Sequence, residues 1–161
     1  MVGDLISAIK EVLTLIKYYS KTRIEKSILK QDLLEEMEDN LRLLKVDYLQ
    51  NNADIIGIIQ LLKNDALRQV IISAKEKKFN YNSLQEGKVS PSIFENLRSY
   101  EQMKDFDVER FVKNISKKIE HLKTLPVLYP NLKSNKFRPK VRLNHLIRMY
   151  VLFMRHLDSN E

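Results

Sequence analysis

The chain has 161 residues, of which 43% are hydrophobic and 30% charged, with a formal net charge of +7 and no cysteine. That length and balance suit one globular domain with a single core. The lack of Cys excludes disulfides, thiolate nucleophiles and Cys-based zinc sites and fits a reducing compartment.

Asp4, Lys10 and Glu11 interrupt the first apolar residues before a signal-peptide core can form. No stretch approaches the roughly 18 apolar residues of a membrane span. The expectation is a soluble, intracellular, cytoplasmic protein.

Three Gly and four Pro are few, and between Gly3 and Gly57 there is neither, which predicts long helices. Leu5, Ile6, Ile9, Val12, Leu13 and Ile16 recur at the spacing of an amphipathic helix. Thr22 to Glu25 matches a capping box and predicts a second helix starting at Thr22. Leu34, Met37, Leu41, Leu44 and Tyr48 then step in threes and fours, a seam for packing on a near-antiparallel neighbour. Asn51 and Asn52 predict a break. A third apolar stripe, Ile55, Ile58, Ile59, Leu62, Ala66 and Val70, runs to about Lys75 with a kink at Asn64-Asp65.

Residues 79–90 read as a loop, and Ser90-Pro91 opens a short helix over about 91–103. Asp105 or Asp107 is placed to cap the next helix, with its stripe Val108, Phe111, Val112, Ile115, Ile119 and Leu122. Residues 124–139 hold three of the four prolines and read as a long irregular stretch. The last helix, about 140–157, is apolar on two faces, which places it either at the centre of a bundle or against a partner. No period-2 alternation persists, so the predicted fold is all-α. It is a single-domain bundle of five or six helices over residues 1–161, with an N-terminal helical half to about 78 and a basic C-terminal half over 91–157.

Charge is unevenly placed. Residues 1–60 carry 8 Lys/Arg against 10 Asp/Glu, whereas residues 101–161 carry 13 against 7, with no acidic residue between Glu120 and Asp158. A one-signed surface attracts polyanions. Lys113, Lys117, Lys118, Lys133, Lys136, Arg138, Lys140 and Arg142 are the candidate phosphate contacts, with Phe137 and Tyr129 as candidate stacking platforms. Arg138 and Arg142 lead, because a guanidinium binds phosphate in two-point fashion. The segment 75–82 has the same basic and aromatic texture on a smaller scale. The competing reading pairs these cations with the acidic run Asp32, Glu35, Glu36, Glu38 and Asp39.

Arg138 and His145, separated by six residues, resemble the R-x4-6-H signature of the HEPN ribonucleases. That resemblance implies a dimeric helical nuclease in which His145 moves a proton and Arg138 steadies phosphorane charge. Pro139 stands where that family usually has a polar residue. His121, His145 and His156 lack ligand spacing, so neither metal nor cofactor is expected, and His156 reads as an exposed helix-end residue. Ile147, Val151 and Met154 are the candidate partner contacts if the last helix docks on a second protein.

The reading reached is a non-enzymatic helical adaptor, a subunit of a larger assembly, whose basic C-terminal surface contacts a polyanion, most simply nucleic acid. The alternatives are a protein-interaction module for an acidic or apolar partner, and the HEPN-like ribonuclease. A homo-oligomer is compatible with each.

Overall fold

In the computed structural model, residues 2–22, 28–84, 102–130 and 137–157 are described. Helix α1 is Val2–Thr22, α2 is Ile28–Leu43, α3 is Ile55–Leu61, α4 is Asp65–Lys75, α5 is Val108–Leu128 and α6 is Pro139–Leu157. A π-helical stretch, Leu44–Gln50, continues α2, and Tyr81–Ser83 forms a short 3-10 turn. There is no strand among the described residues, and the architecture is an all-α bundle.

The predicted apolar stripes form the core. Ile9, Val12 and Ile16 of α1 are fully buried, as are Leu33, Met37 and Leu41 of α2 and Phe111, Val112, Ile115 and Ile119 of α5. α6 lies against α5, α1 and α2, and this settles its two apolar faces. Ile147, Val151 and Met154 are 0%, 2% and 0% exposed. Their expected role as partner contacts is corrected: both faces of α6 are spent inside the molecule, because neighbours cover it on several sides. Tyr150, also fully buried, is held by Asn40, whose Nδ2 donates to its hydroxyl at 2.8 Å. A buried hydroxyl without that partner would cost free energy.

The seam on α2 persists as far as Tyr48 through a change of helix type. At Leu44 the helix widens to i→i+5 bonding, closed by Asn51 N–H donating to the Val46 carbonyl at 2.9 Å. This keeps Leu44 and Tyr48 buried on the core side. Tyr48 then donates to Asn144 Oδ1 at 2.8 Å, with the Lys140 carbonyl 3.3 Å away, and so anchors the first turns of α6. Asn52, at φ 50, reverses the chain, and Asp54 caps α3 by accepting from Gly57 N–H at 3.0 Å.

The kink expected at Asn64-Asp65 is a full break between α3 and α4. Its backbone is satisfied from across the bundle. Asn40 Oδ1 accepts from Lys63 N–H at 2.8 Å, and the Glu36 carboxylate accepts from Ala66 and Leu67 N–H at 2.7 and 3.2 Å. Glu36 therefore caps α4 in place of Asn64, whose side chain makes no cap. Burial raises the Glu36 pKa, and the donated amide bonds act in the opposite direction.

Two boundaries and one exposure differ from expectation. α1 runs through Thr22 and the next described helix starts at Ile28, so Thr22 ends a helix; Arg23 to Glu25 of the capping box lie outside the described residues. α5 continues through Pro126 to Leu128, where residues 124–128 were expected to be irregular. Proline removes one helix hydrogen bond and crowds the preceding turn, but Leu122 and Leu125 are 1% and 3% exposed, and their burial holds the last turn. His156 is half-buried, with its ring 4.9 Å from that of Phe111. Of the short helix expected over 91–103, only Gln102 and Met103 are described, and both are helical.

Candidate polyanion-binding face

Helices α5 and α6 run antiparallel, as the contacts of Phe111 with Phe153 and of His121 with Arg142 show. The buried stripe of α5 leaves Lys113, Lys117 and His121, spaced four apart, on its outward side. A depression flanks that spine on either side. Between α4 and α5 lies an open groove of about 1210 Å³, bordered by Arg68, Lys75, Phe79, Tyr81, Lys113 and Lys117 among others. Between α5 and α6 lies a smaller cleft of about 310 Å³, lined by Asn114, Lys117, Lys118, His121, His145 and Met149, with Gln102, Met103 and Phe106 closing it. Lys117 borders both.

The cleft is cationic. Lys118 is half-buried, and its pKa is lowered by that burial and by the nearby Arg142 charge. His145 is pushed down to about 4 by burial, then by Lys118 and Arg148, and is neutral at pH 7. Arg148 Nε is buried without a hydrogen-bond partner. Arg142 bridges the two helices, donating from Nε to the Phe137 carbonyl at 2.8 Å and from Nη1 to His121 Nδ1 at 3.1 Å. Among the described residues, Lys117, Lys118, Arg142 and Arg148 have no carboxylate partner.

The groove is more nearly balanced. Glu109 pairs with Lys113 at 2.5 Å and Glu120 with Arg68 at 3.7 Å. Phe79 and Tyr81 meet edge to face at 6.0 Å on its far wall. The folding of α4 against α5 brings the small basic and aromatic patch of 75–82 alongside Lys113 and Lys117, a neighbour relation with no counterpart in sequence distance.

The predicted contacts divide into three groups. Lys117, Lys118 and Arg142 come together at the cleft, and Lys113 joins them along α5 although it carries its own Glu109. Arg138 and Lys140 are exposed at the start of α6, and neither side chain makes an ion pair among the described residues. Lys133 and Lys136 lie outside the described residues. Phe137 is stacked on Tyr129, centroids 4.2 Å apart, and packs against the core, so the two expected stacking platforms occupy one another.

The alternative pairing with α2 does not form among the described residues. Glu38 binds Arg42 at 2.6 Å, Asp39 binds Lys63 at 2.7 Å, and Glu36 caps α4. His121 and Arg148 were passed over as contacts. Their signal was the four-residue step from Lys117 to His121 and the three-residue step from His145 to Arg148.

Arg138 stands just before α6 at φ 42, and Pro139 takes the first helical position. The charges acting on His145 are Lys118 and Arg148. Among the described residues no group of three or more metal-binding side chains assembles, and no helix is long and apolar enough to cross a membrane. No protein-family model, curated protein or solved structure matches the chain.

Proposed function

We propose that this chain is a non-enzymatic binding subunit that holds nucleic acid along α5 and the α5–α6 cleft. The observation that carries the reading is that Lys117 and Lys118 line one cleft, with the Arg142 and Arg148 charges acting on Lys118 and His145, and that none of the four has a carboxylate partner among the described residues. Like charges held together cost folding free energy, and a phosphate chain neutralises them with release of counterions. Lys117 connects the cleft to the groove, where Tyr81 and Phe79 offer aromatic surface to an unpaired base.

The adaptor part of the reading draws support from a different feature. Val127 and Leu128 at the end of α5 are 79% and 67% exposed, and Val141 at the start of α6 is also exposed. Apolar surface near the basic face suits a protein partner in the same assembly.

Fluorescence anisotropy with labelled single-stranded RNA and duplex DNA tests the binding. Replacing Lys117, Arg138 and Lys140 together by Glu, all exposed and without an ion pair among the described residues, is expected to weaken binding more than about tenfold. It should also flatten the dependence on salt, by roughly 0.7 to 0.9 in slope for each phosphate the variant no longer neutralises. Unchanged affinity and slope would reject the proposal.

A further inference from the structure

Resting on that reading and sharpening it, we infer that the α5–α6 cleft is a receptor for one phosphate monoester dianion, as carried by the end of a nucleic-acid strand or by a small phosphate compound. A chain of diesters needs an open track, and the exposed spine of α5 offers one. The cleft is different in size and charge density. Its volume of about 310 Å³ lies at the lower end of small-ligand sites. Its lining holds two ammonium groups, Lys117 and Lys118, and two guanidinium charges act on that lining from beyond it, Arg142 on Lys118 and His121, and Arg148 on His145.

The walls strengthen that charge. Met103, Phe106 and Met149 are the cleft's apolar lining, and a charge beside apolar walls is less screened than one in open water. Phe106 is itself fixed from outside by the Arg110 guanidinium, 4.3 Å from its ring centre. No Asp or Glu lines the cleft among the described residues.

The polar groups match a dianion in kind as well as sign. His145 is neutral at pH 7 and offers an N–H without adding to the repulsion between Lys118 and Arg148. Asn114 Nδ2 donates to the Arg110 carbonyl at 2.7 Å, which fixes this side chain on its own helix. Arg148 Nε, outside the cleft's lining, is a buried donor without an acceptor, and its charge acts on His145. Donors bonded to a doubly charged oxyanion are the strong kind.

The test uses the whole chain and three single strands of one sequence, about 12 nucleotides long: unphosphorylated, 5′-phosphorylated and 3′-phosphorylated. Inorganic phosphate is followed separately by its effect on the melting temperature. Lys118→Met and, as a second variant in case the first folds poorly, Arg148→Gln are compared with the parent. At least about tenfold tighter binding of a phosphorylated strand than of the plain strand, an advantage that either variant loses, is the expected result and names a strand end as the source. A rise in melting temperature with inorganic phosphate that the variants lack, with all strands equal, also supports the cleft and names a small phosphate compound. Equal binding of the three strands with no effect of inorganic phosphate overturns the inference, and leaves the broader nucleic-acid reading intact if the strands bind at all.

Discussion

The acidic helix α2 and the basic pair α5 and α6 use charge in opposite ways. On α2 Glu36, Glu38 and Asp39 each find a partner in the same chain: two backbone amides, Arg42 and Lys63. On α5 and α6, Lys117, Lys118, Arg142 and Arg148 gather and find no carboxylate among the described residues. The first arrangement contributes to the fold. The second opposes it, and the proposed partner would relieve that opposition.

The sharpest probe of this contrast is Glu36→Ala. It leaves the Ala66 and Leu67 amides without their buried acceptor and is expected to destabilise by roughly 2–3 kcal/mol in urea unfolding. Nucleic-acid affinity should be unchanged in that variant at temperatures where it remains folded. A parallel loss of affinity would break the division between the structural acids of α2 and the bases proposed to bind.

Acid is the next probe. The folded pKa of His145, about 4, lies below its ordinary 6.5, so the unfolded chain takes up the proton first. The stability that depends on neutral His145 is complete above about pH 6.5 and is lost as pH falls toward 4. Because the ring is only half-buried, solvent screening reduces the effect to on the order of 1–2 kcal/mol. His145→Gln should flatten the fall in melting temperature across that window, and an identical pH profile would remove the cationic environment assigned to the ring.

Smaller effects sharpen the comparison from both sides. Lys118→Met removes one of the crowded charges and is expected to raise stability by roughly 0.5 kcal/mol while lowering affinity. A fall in both would mean that Lys118 has a partner in the fold. Glu38→Gln, on the exposed Arg42 pair, should change stability by no more than about 0.5 kcal/mol. It should leave phosphate and nucleic-acid binding as they were, measured in the same melts and titrations.

Much of this protein is decided by local pattern. The stripes on α1, α2 and α5 are legible because a helix repeats every 3.6 residues, so Ile9 and Val12 or Phe111 and Ile115 must share a face whatever they pack against. Asp107 as a cap and Asn51-Asn52 as a break are likewise local, since short polar side chains bind nearby amides or tolerate positive φ. The excess of cations after Glu120 is plain composition.

Tertiary structure alone decided the rest, because it depends on groups far apart in the chain. Whether Ile147, Val151 and Met154 faced a partner or the core turned on how many helices surround α6. Glu36 reads as one more surface acid until α4 presents its amides, 30 residues away. Pro126 reads as a helix stop until the burial of Leu122 and Leu125 outweighs it. That Lys117, Lys118, His121, Arg142 and His145 meet at one cleft, with 75–82 on the other flank of α5, follows from antiparallel packing. Periodicity assigns each residue to a face of its own helix, but only contact between helices places two faces together.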